Sequence, residues 1–425
     1  MNSTLRFICS LLVAVSSQLG LLTWTAHAED PDADQRPENY IDVRSGTVTI
    51  EDITTEGDLP VAGYEPSPGN GAFIQNPSGI FRLQIGAFLQ VRWSANWRTA
   101  PAQERNEGTG ENFSYGWSLN RTRIQMEGKY TNRTTFQLQF AVADSFDPEV
   151  HAAWMQRNFG GSWSLRIGKQ FIPLSREDWM SPYDILTAEF SPNNKTFAIG
   201  PSLGLSLFHG WKKVRGWFSL HNGAAGGRET FPSPETDVAV TARMEWMFRG
   251  SDWLIWNDMV GRRGRAQGMM LGLSGLYQSK RTNISAEENA LAQINFDFSI
   301  NGSGYQAVLA GSGTWTDPVS GESFWNYGLL TQAGYFVTRA GQLYAQYNLV
   351  SPGDLEGDWE TFHSMTLGVN YFPYLWTNRW KVTVEAGYLF SALNNTIVQP
   401  SGSLAWLPSN EAGQGYVRLQ ILFGF

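Results

Sequence analysis

From residue 79 onward, apolar side chains recur with a period of two. The stretch GIFRLQIGAFLQVRWSANWR, residues 79–98, shows it most clearly. Phe81, Leu83, Ile85, Ala87, Leu89, Val91, Trp93, Ala95 and Trp97 share one face. Arg82, Gln84, Gly86, Phe88, Gln90, Arg92, Ser94, Asn96 and Arg98 share the other. Successive strand side chains point to opposite faces, so this alternation predicts one long β-strand. At ~3.3 Å per residue it extends roughly 60 Å. Strands of soluble sandwiches average about 5–6 residues. A tilted strand that crosses a bilayer and continues beyond it needs this length.

The pattern repeats along the chain. RTRIQMEGKY (121–130) sets Arg121, Arg123, Gln125, Glu127 and Lys129 against Ile124, Met126 and Tyr130. Phe136, Leu138, Phe140 and Val142 alternate with Gln137, Gln139 and Ala141. The stretches 163–170, 237–248, 294–300 and 380–388 behave alike. The last, GQGYVRLQILFGF (413–425), alternates Val417, Leu419, Ile421, Phe423 and Phe425 with Arg418 and Gln420. Short connections (131–133, 159–161, 209–211, 301–304, 338–341) alternate with long ones (99–113, 171–199, 223–235, 279–290, 315–323, 350–361, 391–413). Outer-membrane barrels have this asymmetry between their two rims. Counting WLIWNDMV (253–260) as a strand gives seventeen and breaks the rhythm. Placing 250–266 in a long turn restores it and gives sixteen, with eighteen as the next even number; single-chain bacterial barrels have even strand numbers. The expected fold is therefore all-β, a transmembrane antiparallel β-barrel of about 16 strands with an inward-folded third loop. A barrel of that size encloses a water-filled lumen.

Composition agrees. Charged residues are 16 % and aromatics 14 % of the 425 residues, with 44 Gly and 18 Trp. Mean hydropathy is −0.28, which excludes a helical membrane protein. Trp93, Trp97, Trp117, Trp163, Trp246, Trp380, Tyr130, Tyr371 and Tyr388 lie near strand ends, where an interfacial girdle would sit. Residues 1–28 read as a signal peptide. Arg6 is the positive end, LLVAVSSQLGLLTW the apolar stretch, and Ala26-His27-Ala28 the small-x-small cleavage site. Residues 29–78 are expected to be an acidic, flexible N-terminal segment, followed by the barrel over 79–425. Eleven of the 39 acids fall in 29–70, and this leader accounts for the net charge of −8. The barrel itself is close to neutral. The sole cysteine, Cys9, permits no disulfide framework.

No enzyme signature stands out: no GxSxG around an exposed Ser, no HExxH, and no histidine pair with metal-ligand spacing. Asp184 and Glu189 are a conceivable glycosidase pair whose separation sequence does not give. No catalytic residue, metal site or cofactor is assigned. If the apolar faces touch lipid, Arg82, Arg92, Arg121, Arg123, Lys129, Arg166 and Arg243 point into the lumen, as do Arg98, Arg215, Lys381 and Arg418. Inward acids are Glu127, Glu245, Asp297 and Glu385. A basic wall attracts anions and slows cations. Each inward Arg also has a bland role open to it, pairing with loop acids to stiffen the barrel. The segment 169–198 exceeds an ordinary connection. It carries Lys169, Arg176, Asp184, Glu189 and Lys195, and as the third long loop it is the candidate constriction.

At NRTRIQMEGKY (120–130), SLRIGKQFIPLS (164–175), SPYDILTAEFSP (181–192), FSLHNG (218–223), TARMEW (241–246) and the terminal YVRLQILFGF, the sequence resembles the phosphate-selective porin family, porins O and P. The order and spacing fit from about residue 79 to the end. The resemblance implies a sixteen-stranded trimeric outer-membrane barrel, a third loop folded inward, and a basic lining favouring anions such as phosphate. It also implies that the terminal aromatic strand is read by the barrel-insertion machinery. Arg121, Arg123 and Lys129 sit on matching positions. Two departures remove positive charge near the constriction. Phe171 stands where members often carry lysine, and Phe190 follows Glu189 where they often carry arginine. The function expected is a passive outer-membrane channel for small hydrophilic solutes, preferring anions, in contact with outer-membrane lipid and assembled as a homotrimer. The alternative from another class is a secreted soluble β-protein that binds or hydrolyses polysaccharide.

Overall fold

The computed structural model describes residues 61–64, 71–99, 112–142, 148–224, 239–279, 281–283, 286–353, 359–375, 377–393, 396–399 and 404–424. Residues 1–28, expected to be a signal peptide, the acidic residues 29–60 and the terminal Phe425 lie outside them.

Sixteen antiparallel strands close on themselves. In chain order they are β3 (Arg82–Trp97), β4 (Phe113–Thr131), β5 (Thr134–Val142), β6 (Pro148–Gly160), β7 (Trp163–Phe171), β8 (Pro201–Gly210), β9 (Val214–His221), β10 (Ala239–Arg249), β11 (Gly268–Gln278), β14 (Ala290–Gly302), β15 (Tyr305–Asp317), β16 (Phe324–Phe336), β17 (Gly341–Pro352), β18 (Phe362–Tyr371), β19 (Lys381–Leu389) and β20 (Gln414–Gly424). The last pairs with the first, from Gly415↔Trp97 to Gly424↔Phe88, so the seam is hydrogen-bonded. Residues 250–267 form a turn holding one 3-10 turn at Trp253–Trp256, which confirms the count of sixteen. The small hairpin β12 (Arg281–Asn283) and β13 (Ala286–Glu288) stands apart in its own two-stranded sheet.

The leader corrects one expectation. Within the segment expected to be flexible, β1 (Val61–Tyr64) and β2 (Ala72–Gln75) form a hairpin, and β2 pairs with Arg82–Ile85 of β3. β20 stops opposite Phe88, so β2 covers the edge of β3 that β20 leaves bare. An uncovered edge presents unpaired N–H and C=O groups, which is the physical reason for ordering this hairpin.

The packing is inverted relative to a soluble protein. Ile294 is 65 % exposed, and Met244, Trp246, Leu273, Leu367 and Ile421 are exposed likewise. On the opposite strand faces Gln90, Arg92, Asn348, Asn370, Thr383, Glu385 and Gln420 are fully buried. The alternation thus turns its apolar face outward. One bulge shifts it. Between Gln90 and Val91 of β3 the register with β4 slips by one residue, at Asn120. Above the slip the exposed large apolar side chains are at odd positions, Tyr115, Trp117 and Leu119; below it Ile124 is exposed, at an even one. Asn120 and Arg121 consequently both reach the lumen, which a strict period of two would not allow.

Candidate functional site: the lumen and its third loop

The loop 172–200, between β7 and β8, folds into the barrel and is tied to its inner wall. The carbonyl of Leu174 accepts from Arg243 Nη1 at 3.3 Å and from Ser274 Oγ. Farther along, the carbonyl of Ile185 accepts from Lys381 Nζ (2.9 Å), and that of Leu186 from Asn370 Nδ2 (2.7 Å). Ala188 is held from both sides: its carbonyl takes bonds from Gln90 and Arg92, each at 3.0 Å, and its N–H donates to Glu385 Oε2 at 3.0 Å. The loop backbone must satisfy its polar groups inside a lumen, and the inward polar faces of β3, β18 and β19 supply the partners. Helix α1 (Pro192–Phe197) returns the loop. Ser191 caps it, accepting from the Asn194 N–H, and Pro192 begins it. Wall residue Gly328 makes room here, since a Cβ would meet Asn193 and Phe197.

Two further segments enter from the rims. In the turn 250–267, Trp256, Met259 and Val260 are buried, and the Met259 N–H donates to the carbonyl of Asp184 at 2.8 Å. Arg176 bridges back, donating to the carbonyls of Trp256 (3.3 Å) and Asp258 (3.0 Å). In loop 390–413, Leu393, Val398, Leu404 and Trp406 pack against Val350, Phe362 and Tyr416. Sequence reasoning missed both as lumen fillers. The signal was present, since WLIW (253–256) and LAWLP (404–408) are apolar in connections that would otherwise lie in water.

Inward residues along β8 to β20 and on β3 are buried. The inner faces of β4 to β7 remain partly accessible. There Arg166 stacks 4.0 Å over Trp154 and donates to Gln156 Oε1 at 2.9 and 3.0 Å. Trp154 Nε1 donates to Gln137 Oε1 (2.7 Å), and Gln137 in turn to Glu127 Oε1 (2.6 Å). Arg123 lies 5.5 Å over Phe88. A small recess lined by Gln84, Phe88, Gln125, Glu127 and Arg379 adjoins this wall.

The structure therefore sorts the basic residues anticipated from sequence. Arg121, Arg123 and Arg166 are on the accessible side. Arg92 and Arg243 are buried anchors. Arg243 donates to Glu245 Oε1 and, at 2.6 Å, to Asp297 Oδ2. Arg82 stands at the short-turn rim, 4.3 Å over Phe73 of the N-terminal hairpin, and Lys129 is exposed near the same rim. Lys169 belongs to β7 rather than to the loop; it is buried with its Nζ 3.7 Å from Glu149. Asp184 accepts from Asn378 Nδ2 at 2.9 Å, so it and Glu189 are engaged with different partners and form no acid pair.

Glu189 is the centre of a basic cluster on the inward-folded loop. Its carboxylate receives Arg121 through both guanidinium nitrogens, Arg92 Nη2 at 3.1 Å, Asn120 Nδ2 at 2.8 Å and Lys195 Nζ at 3.4 Å. Burial opposes the charge, but Arg121, Lys195 and Arg92 outweigh it and hold the carboxyl well below its ordinary range. Two other loop acids lean the opposite way. Burial pushes Glu177 to about 7 against the donors of Ser191, and it pushes Asp178 to about 7 with the Glu177 charge adding to it. Among the described residues no cluster of three or more His, Cys, Asp or Glu side chains is placed to hold a metal ion.

The sequence matches no protein-family model and no curated protein. Solved structures do share the fold. The anion-selective porin from Comamonas acidovorans superposes with a TM-score of 0.55 at 13 % identity, covering 81 % of this chain and 100 % of that one. Salmonella typhi OmpF in complex with daunomycin gives 0.52 at 12 %, covering 81 % and 98 %. In-vitro folded OmpT of Vibrio cholerae, in its trimer form, gives 0.50 at 14 %, covering 80 % and 99 %. At these identities the likeness establishes the architecture, a sixteen-stranded closed antiparallel barrel.

Proposed function

We propose that the protein is an outer-membrane porin through which small hydrophilic solutes diffuse passively, with a preference for anions. The observation that carries this reading is the inverted barrel: an exposed apolar belt around a polar interior whose accessible wall bears Arg121, Arg123 and Arg166. A soluble barrel would expose the polar face and bury the apolar one, so the soluble polysaccharide-binding alternative has the wrong surface. On the accessible wall the acids near these three arginines are Glu127 and the exposed Glu149, the latter beside Lys169, and a wall with that balance of bases over acids favours anions in a confined channel. The segments folded into the lumen make the channel narrow. Lipid contacts the belt, and the short-turn rim faces the periplasm. A homotrimer is the proposed assembly, and β20 is the segment proposed to meet the insertion machinery. Phosphate selectivity is the finest form of the reading, and the resemblance to porins O and P supports it.

The test is reconstitution. The folded protein should migrate faster on a gel unheated than boiled, and liposomes containing it should swell in iso-osmotic solutions of small solutes. Liposomes that stay unswollen with correctly folded protein contradict the channel reading.

A further inference from the structure

Six donors converge on the Glu189 carboxylate: both terminal nitrogens of Arg121, Arg92 Nη2, Asn120 Nδ2, Lys195 Nζ and the backbone N–H of Phe190. Two guanidinium groups, an ammonium, an amide and a backbone N–H are the donor set that binds oxyanions, with Arg121 presenting its planar fork to both carboxylate oxygens. The cluster is graded in access. Arg92 is sealed behind the loop, whereas the side chains of Arg121 and Lys195 are 12 % and 36 % exposed. Glu189 itself is fixed by its neighbours. The loop is pinned at Ala188, and Thr187 Oγ1 donates to the Glu189 carbonyl at 2.6 Å.

We propose that the Glu189 carboxylate is a tethered competitor occupying an oxyanion-binding site built from Arg92, Arg121 and Lys195, and so sets how tightly small oxyanions are held in the channel. The inference rests on the anion-preferring channel reading and adds a residue that tunes it. A tethered ligand acts at a local concentration of millimolar or more, so a free anion at low concentration does not displace it. The anion then passes the exposed faces of Arg121 and Lys195 without lodging among them. Fast passage requires binding weak enough to permit release. With the carboxylate neutralised, the same donors would face the lumen with one more net positive charge.

The experiment uses the full-length protein in planar bilayers, with inorganic phosphate added to potassium chloride, comparing the wild type with Glu189→Gln. The amide keeps the side-chain shape and can still accept from Arg121. Chloride current in the variant should be halved by a phosphate concentration about tenfold lower than in the wild type, as expected when a competing charge leaves a three-cation site. Its anion-to-cation permeability ratio should also rise. Adding Lys195→Gln to Glu189→Gln should weaken the block again. Identical phosphate sensitivity in the wild type and Glu189→Gln overturns the proposal. A cation-preferring or non-conducting wild type instead overturns the channel reading, so the two failures are separable. Should Glu189→Gln not insert, Glu189→Asp takes its place, because it withdraws the charge by one methylene. Its block should then lie between the two, and wild-type sensitivity in that variant likewise defeats the idea.

Discussion

Replacing Arg243 by methionine separates a structural arginine from a conducting one. Arg243 is buried, and its Nε and Nη2 donate to Glu245 Oε1 at 2.9 and 2.8 Å. Nη2 also donates to Asp297 Oδ2 at 2.6 Å, and Nη1 holds the root of the loop at Leu174. Methionine keeps the apolar stem but leaves the Asp297 carboxylate without this guanidinium in a nearly dry site. Breaking a buried ion pair by removing one partner costs about 3–5 kcal/mol. Arg215 still holds Glu245 at 2.5 Å, which places Arg243→Met at the lower end of that range. A loss of ~3 kcal/mol is about two orders of magnitude in the folding equilibrium. Reversible urea unfolding in detergent, followed by tryptophan fluorescence, measures it. Adding Asp297→Asn should recover part of the loss, because the two residues share one network. Ion selectivity should stay at the wild-type value, since Arg243 does not line the accessible wall. A variant as stable as the wild type, or one whose selectivity falls as far as that of Arg121→Gln, refutes the assignment.

Three further outcomes are expected. Arg123→Gln and Arg166→Gln should each lower the anion-to-cation permeability ratio roughly twofold to fivefold, from an interaction of ~0.5–1 kcal/mol across about 7 Å of water-filled pore; Arg92→Gln should instead lower stability. Replacing residues 251–265 by a short Gly-Asn turn should raise single-channel conductance, because Trp256, Met259 and Val260 then leave the lumen; unchanged conductance would place them outside the conducting path. Stability should fall as pH rises from about 4 to 7. Glu177 and Asp178 titrate near 7 in the folded loop, above their unfolded values, so between roughly pH 4 and 7 the folded state holds more protons than the unfolded one, and this contribution is lost progressively across that window and levels off above it. Glu177→Gln should flatten the pH dependence of the unfolding midpoint.

The barrel was legible because its signal is local. The alternation of residues 81–97 follows from an apolar outer face and a polar inner face, and no long-range information is needed to see it. The turn at 250–267 was also legible, through the short-and-long rhythm of the connections. The bulge at Asn120 was not, because one inserted residue leaves both flanking runs looking regular. Which arginines stay accessible could not be read from sequence either. Arg92, Arg121 and Arg243 have the same parity-based claim to the lumen, and they differ only in what folds against them. Glu189 was visible as a departure from the family pattern and as a loop acid. Its six donors come from β3, β4 and helix α1 as well as its own loop, and only the closed barrel brings them together. The N-terminal hairpin was hidden by its Pro- and Gly-punctuated, acidic surroundings, and it is ordered by the bare edge of β3 that it covers.

The zero-current potential of the wild-type channel in a potassium chloride gradient tests the central claim most directly. A narrow channel whose open wall carries Arg121, Arg123 and Arg166 should pass chloride faster than potassium, making the dilute side negative. A positive dilute side would contradict the account.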